Sequence, residues 1–281
     1  MQTVTEIQAL RAVVRGWRES GQAVGLVPTM GNLHAGHYSL LKQARARCDR
    51  VVASVFVNPT QFGPGEDFER YPRTLAQDQA GLADHDCDVV FAPSVETMYP
   101  FGPEQSVRVQ VPRLTESLEG AHRPGHFDGM ATVVCKLFNL VQPDVAVFGQ
   151  KDFQQLRVIE RFVRDLGLPV TVLAAPIVRE ADGLAMSSRN QYLSPEERKR
   201  ATGIHRTLLA MKTAHEAGRA PQEIELEAVA QLRELGFEPD YAAVRRSVDL
   251  GEPGVEPGEE RIALIAARLG ATRLIDNLLL N

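Results

Sequence analysis

Short apolar runs rich in β-branched residues recur through the first part of the chain, at residues 23–27, 51–57, 89–91, 107–111, 145–148 and 170–173. Their length and composition predict strands buried on both faces. Between several of them apolar residues repeat at helical spacing, over 39–47, 75–83, 130–141 and 153–166, which predicts amphipathic helices. Strands alternating with helices favour a parallel sheet, and in such sheets ligands gather beyond the carboxyl ends of the strands. The expected class is α/β: a Rossmann-like parallel sheet with helices on both faces, joined to a smaller α+β C-terminal domain.

The pattern changes after Val178. Ser194-Pro195-Glu196-Glu197 reads as a helix start, with Ser194 as N-cap, Pro195 at the first helical position and Glu197 closing a capping box. That helix is expected to run to Ala217 and end at Gly218, with a second over 221–235 closed by Gly236. Beta-like runs follow at 241–248, 261–268 and 272–280. Helices succeeded by adjacent strands suggest an antiparallel sheet. The boundary falls near 176–184, giving a nucleotide- and substrate-binding domain over 1–178 and a smaller C-terminal lid domain over 179–281.

Composition narrows the function classes. The chain has 281 residues with 44% hydrophobic and 24% charged, and a formal charge of −5 without a Lys/Arg block. That argues against a broad nucleic-acid surface while leaving room for a small basic pocket. Cys48, Cys87 and Cys135 are widely spaced, lie in apolar surroundings and form no C-x-x-C pair, as expected of reduced core residues. The amphipathic segment 1–20 lacks a signal-peptide core, and no apolar stretch approaches spanning length. A cytoplasmic location without membrane partners is the expectation.

The densest chemistry lies in Val27-Pro-Thr-Met-Gly-Asn-Leu-His-Ala-Gly-His37, between a predicted strand and a helix beginning near Gly36. The first-turn N–H groups of a helix lack internal partners and carry the positive end of its dipole, so phosphate binds there without a lysine. His34 and His37, three residues apart, can face one ligand and donate to its oxygens. A surface turn with two incidental histidines is the plain alternative; a zinc site is disfavoured because no third ligand stands at suitable spacing. Met186-Ser-Ser-Arg-Asn190 adds two hydroxyls and a fixed cation suited to phosphate, after a Gly183 that would let the loop move.

Two further strand exits carry polar groups. Asn58 and Gln61 offer amides able to bind hydroxyls and carboxylates, or belong to an ordinary strand-to-loop exit. Gly149-Gln-Lys-Asp152 supplies a close-approach glycine and the compact cation Lys151, with Gln154 and Gln155 on the following helix. Arg123-Pro-Gly-His126 places a guanidinium near an imidazole, at a substrate mouth or in a structural turn. Asp78 is a candidate to help hold Mg2+ on a nucleotide, since Mg2+ commonly takes one or two protein carboxylates and keeps its waters.

Taken together, Pro28-Thr-Met-Gly31, His34-Ala-Gly-His37, Asn58-Pro-Thr-Gln-Phe62, Tyr71-Pro-Arg73, Arg123-Pro-Gly-His-Phe127, Gly149-Gln-Lys-Asp152, Ser187-Ser-Arg-Asn190 and Thr272-Arg-Leu-Ile-Asp-Asn277 resemble the pantoate:beta-alanine ligase (pantothenate synthetase) family. That family lies in the nucleotidylyltransferase superfamily, whose motifs are shared with class I aminoacyl-tRNA synthetases. The resemblance implies ATP as co-substrate, Mg2+, (R)-pantoate, beta-alanine, a pantoyl adenylate and a homodimer. It assigns ATP contacts to Met30, Gly31, Asn32, Leu33, His34, Ala35, Gly36 and His37, to Gly149, Gln150, Lys151 and Asp152, to Val178, and to Met186, Ser187, Ser188 and Arg189. His37, His34 and Lys151 would be catalytic, Gln61 and Gln155 would hold pantoate, and Gln61 would also meet beta-alanine. Two departures stand out: Gln150 where the family often has Glu, and Ala185 where the synthetases have Lys before the Met-Ser pair. An adenylyltransferase acting on a phosphorylated small molecule is the alternative enzyme, although neutral Gln61 and Gln155 favour a hydroxyl-bearing substrate. A silent ATP sensor would not need both histidines and Lys151.

Overall fold

The computed structural model describes residues 1–254 and 258–280. Two compact units divide the chain: Met1–Gln150 with Val158–Pro176, and Lys151–Arg157 with Ile177–Asn281. The turn at 151–157 thus groups with the C-terminal unit.

In chain order the first unit carries β1 (Gln2–Val4), α1 (Ile7–Glu19), β2 (Val24–Thr29), α2 (Ala35–Arg45), β3 (Arg50–Val55), α3 (Leu75–Asp84), β4 (Val89–Phe91), α4 (Val95–Met98), α5 (Glu119–His122), α6 (His126–Val141) and β5 (Val145–Gly149). Helix α7 (Phe153–Asp165) begins in the other unit and leads back to β6 (Thr171–Ala175). The six strands form a wholly parallel sheet in the order β1-β4-β3-β2-β5-β6.

Alternation along buried strands sends successive side chains to opposite faces. Val27, Val51, Ala53, Val90 and Val147 therefore join Leu41 and Ala44 of α2 and Leu82 of α3 in one cluster. On the opposite face Phe148 meets Phe138 of α6 with ring centres 6.2 Å apart, and Phe138 meets Phe162 of α7 at 6.0 Å. Each such large apolar side chain contributes about 1.5–3 kcal/mol when fully buried. Gly25 lets α2 come close, because a Cβ there would stand 3.2 Å from that of Ala44.

The strand order places a topological switch between β2 and β5. Chain following β2 goes to one side through β3, and β5 takes the other flank of β2, with Leu26 opposite Ala146. Such switch points open crevices at the carboxyl ends of the strands. The Met30–His37 loop leaves one of these two ends and Gly149 closes the other.

The second unit contains α8 (Pro195–Ala201), α9 (Gly203–Glu216), α10 (Pro221–Glu234), β7 (Glu238–Arg246), β8 (Arg261–Leu269) and β9 (Thr272–Leu279). Its three strands are antiparallel in the order β7-β8-β9. Leu208, Met211, Ile224 and Leu232 of the helices pack with Val244, Ile265 and Leu274 of the sheet.

Two local expectations are corrected and one unforeseen strand is added. Residues 107–111 are not a strand: Val107 is exposed, and the Val109 N–H donates to the Thr132 hydroxyl rather than to a ladder. Alternation identifies an extended segment, but a strand needs a neighbouring edge. The helix capped by Ser194 forms with its reciprocal box, yet breaks at Thr202 into two. Gly203 after the break has no side chain because Leu235 and Phe237 occupy that space. Finally β1, too short to show a pattern, adds to the sheet beside β4. No helix among the described residues is long and apolar enough to cross a membrane. Cys48 and Cys87 are buried and Cys135 partly so, all as free thiols; burial chiefly pushes Cys87 up to about 11.

Candidate active site

The first unit's site grows from the exit of β2. Gly31 and Asn32 take consecutive left-handed conformations, φ +87° and 51°. Gly31 meets this requirement at no steric cost and asparagine tolerates it better than most residues. The reversal brings the backbone onto α3, where Asp78 accepts from Leu33 N at 2.8 Å through Oδ1, and from Asn32 N at 3.0 Å and the Thr74 hydroxyl at 3.1 Å through Oδ2. Asp78 is 2% exposed. Burial first, and then the nearby carboxylates Asp78 and Asp84, push the Tyr38 phenol up. The structure thus shows this carboxylate anchoring the loop, and the Mg2+ role expected of Asp78 from sequence stays a proposal beside that anchor.

His34 caps α2 and His37 occupies the third helical position. The Nδ1 of His34 accepts from Gly36 N at 3.2 Å, and the Nδ1 of His37 accepts from His34 N at 3.3 Å. Their rings lie 4.2 Å apart. An imidazole accepting at Nδ1 carries its proton on Nε2. Both histidines are therefore set as Nε2–H donors at the amino end of a helix, beside the Met30–His37 backbone.

Gln61 ends a short 3-10 turn, Pro59–Gln61, after β3. Its side-chain Nε2 sits 3.2 Å from the Met30 sulfur, which brings the residue expected to bind acid beside the loop expected to bind phosphate. Asn58, left open from sequence between a binding amide and an ordinary strand exit, is a buried scaffold. Its Oδ1 accepts from the Tyr99 hydroxyl at 2.8 Å and the Thr60 hydroxyl at 3.0 Å. Its Nδ2 donates to Gln61 Oε1 and to Gly129 O, each at 3.1 Å. With Oε1 accepting from Asn58, Gln61 offers a ligand its N–H edge. Gly129 permits this packing, since a Cβ there would lie 2.1 Å from Thr60 O.

Arg123 and His126 stand against the back of the same turn. His126 Nδ1 lies 2.8 Å from Gln61 O, and Arg123 grips Glu66 with contacts of 2.8 and 2.7 Å. Burial raises the Glu66 carboxyl, but hydrogen bonding and charge from Arg123 outweigh it and hold the group below its ordinary range.

Gly149 and Gln150 belong to the first unit, and the second holds the other candidates in two places. Lys151 and Asp152 form a loose pair at 3.9 Å, and the side chain of Asn277 on β9 donates to Lys151 O at 2.9 Å. Gln154 is buried and Gln155 half-buried on the first turn of α7. In the other place, Met186 N donates to Val178 O at 3.0 Å, so the two nucleotide candidates flanking the 178–186 hairpin are brought together. Gly183 turns that hairpin at φ +92° against His205, a place where a Cβ would lie 2.6 Å from the ring. Its glycine answers a packing demand as well as a turn. Ser187 then caps a 3-10 turn by accepting from Arg189 N at 3.2 Å. Arg179 secures the hairpin to β9 through a forked pair with buried Asp276, at 2.6 and 3.0 Å. Asp276 lay in a family motif and Arg179 carried no signal beyond charge, and their pairing was not legible because it spans 97 positions.

The donor set does not form a resident metal cage. Asp78 already accepts three hydrogen bonds, and no three His, Cys, Asp or Glu side chains gather suitably among the described residues.

Comparisons with known proteins agree with the geometry. The model of the pantoate-beta-alanine ligase family matches residues 2–279. A pantothenate synthetase of Xylella fastidiosa (strain 9a5c) is 59% identical over 282 residues, covering 99% of each chain. One from Stenotrophomonas maltophilia (strain K279a) is 58% identical over 278 residues, again covering 99% of each. Among solved structures, pantothenate synthetase from Thermus thermophilus superposes with a TM-score of 0.91 at 50% identity, covering 99% of both chains. The pantoate-beta-alanine ligase of Francisella tularensis, complexed with beta-gamma ATP and beta-alanine, has a TM-score of 0.84 at 33% identity, covering 99% of this chain and 97% of that one. With a family match spanning nearly every residue and a sheet whose switch point carries the expected motifs, the chain belongs to the pantoate-beta-alanine ligase family, whose members are acid–amine ligases.

Proposed function

We propose that the protein condenses (R)-pantoate with beta-alanine in two steps, with ATP giving pantoyl adenylate and pyrophosphate, and beta-alanine then displacing AMP to yield pantothenate. The observation that carries this reading is the pair of strand ends at the β2/β5 switch, one feeding a histidine-capped helix and the other Gly149. A carboxylate is a poor acylating agent, and joining it to AMP creates a good leaving group. No covalent enzyme intermediate is needed. What the protein must supply is in-line placement of the acid oxygen on the α-phosphorus and donors for the departing pyrophosphate. Placement alone is worth up to about 7–11 kcal/mol.

In this reading the N–H groups of Met30 to His37 cradle phosphate, His34 and His37 donate through Nε2, and Lys151, Ser187, Ser188 and Arg189 counter the charge that develops on transfer. Gly149, Gln150, Asp152, Val178 and Met186 complete the nucleotide contacts. Gln61 and Gln155 hold pantoate, Gln61 through its N–H edge toward an acid or hydroxyl oxygen, with beta-alanine adjacent. Mg2+, which keeps most of its water ligands, accompanies ATP on its phosphates rather than occupying a protein cage. Homodimer formation belongs to the same proposal.

Exchange of labelled pyrophosphate into ATP tests it. Exchange should appear only with pantoate present and should need no beta-alanine. Its absence at saturating ATP, Mg2+ and pantoate would falsify the adenylate route.

A further inference from the structure

The Arg123-Pro-Gly-His126 motif remains outside the chemistry above, although it touches the Gln61 turn directly. Arg123 Nη1 lies 3.1 Å from His126 Nε2, and His126 Nδ1 lies 2.8 Å from Gln61 O. A guanidinium only donates, so Nε2 must accept. The ring is then neutral with its proton on Nδ1, and that proton goes to the Gln61 carbonyl. We infer that His126 is a positioning residue for acid binding: held by Arg123, its imidazole clamps the Gln61 main chain so that the side-chain amide meets pantoate in one orientation.

Three observations support this assignment, which rests on the reading of Gln61 as a pantoate ligand. Arg123 is fixed by its fork on Glu66 and reaches Gln61 O itself at 3.4 Å, so the clamp has a rigid support. At the other end of the residue, Asn58 binds Gln61 Oε1 at 3.1 Å. Main chain and amide are thereby restrained separately, with Nε2 toward the Met30 sulfur. A thioether is a weak acceptor, which a substrate oxygen can replace at little cost. His126 also begins α6, the helix whose Gly129 backs Thr60, so clamp and backing move as one element. Desolvation first and the Arg123 charge second push His126 down to about 4, against an opposing carbonyl hydrogen bond and the carboxylates Glu66 and Glu119, so the ring stays neutral at physiological pH.

The test is steady-state kinetics of the full-length enzyme for His126→Phe, His126→Asn, Gln61→Ala and the double variant His126→Phe with Gln61→Ala. Phenylalanine keeps the ring but removes the donor, and asparagine restores a nitrogen donor at the Nδ1 position. His126→Phe should raise the half-saturating pantoate concentration by about tenfold, the value of one such hydrogen bond, leaving that for ATP unchanged. His126→Asn should recover to within about threefold, and in the Gln61→Ala background His126→Phe should add little, as expected of coupled neighbours. Should His126→Phe not fold, Arg123→Lys carries the same prediction, because lysine cannot hold Glu66 and His126 together. Wild-type pantoate saturation in His126→Phe beside a defective Gln61→Ala overturns the clamp alone. An equal loss toward pantoate and ATP, or full additivity in the double variant, also overturns it. Unchanged pantoate saturation in Gln61→Ala overturns the clamp together with the reading of Gln61 on which it stands.

Discussion

Replacing Asp78 with alanine separates a loop anchor from a metal ligand. The carboxylate satisfies Asn32 N, Leu33 N and the Thr74 hydroxyl within 2.8–3.1 Å at a position 2% exposed. Stripping a buried donor of its partner costs about 1–3 kcal/mol, so the two amides alone represent roughly 2–6 kcal/mol. Asn32 sits at φ 51°, and relaxing such a conformation returns of order 1 kcal/mol. The expected net loss for Asp78→Ala is therefore about 1–5 kcal/mol. Asp78→Asn keeps the shape and one acceptor oxygen and should lose about half as much. Domains have only about 5–15 kcal/mol in total, so Asp78→Ala should be measured in urea with both variants beside the parent. Because the anchor holds the loop that carries His34 and His37, the half-saturating ATP concentration in pyrophosphate exchange should rise with the stability loss, at every Mg2+ concentration. A loss below about 1 kcal/mol with normal ATP saturation would refute the anchor. Recovery of Asp78→Asn by excess Mg2+ would support the metal role.

Lys151→Ala should slow pantoate-dependent pyrophosphate exchange by about 10²–10³-fold, the usual value of a lost charge-stabilising donor. Its ion pair with Asp152 is loose and partly exposed, so urea unfolding should change by less than about 1 kcal/mol; an unaltered rate removes this lysine from the mechanism. For pH, His126 has a folded value near 4 against an ordinary 6.5. The unfolded chain binds the proton first, so stability is fully present above pH 6.5 and falls as pH drops through the window between 6.5 and 4, by at most about 1.4 kcal/mol per pH unit for this one group. His126→Asn should lose that part of the slope, and identical slopes for the two proteins would contradict the neutral, enclosed ring.

The run of residues 23–27 into Pro28 and Gly31, the helical spacing of Leu40, Leu41 and Ala44, and the Ser194 capping box are local patterns, and each formed where its spacing required. So did the antiparallel strands at the chain's end, apart from small shifts at their bounds. Local physics was sufficient there because periodicity and caps act within a few residues. It was insufficient at 107–111, where alternation was present without a strand partner, and at Thr202, where packing around Gly203 decided the helix break. Family motifs supplied the roles proposed for His34, His37, Gln61 and Lys151, and the amino-acid order alone determined the alternating α/β plan that carries them. Only the tertiary structure decided that Asn58 faces inward, that Asp78 anchors a loop, and that His126 meets the carbonyl of a residue 65 positions away. The reason is physical: a polar side chain's task depends on which donors and acceptors folding brings to it, and those partners lie far off along the chain.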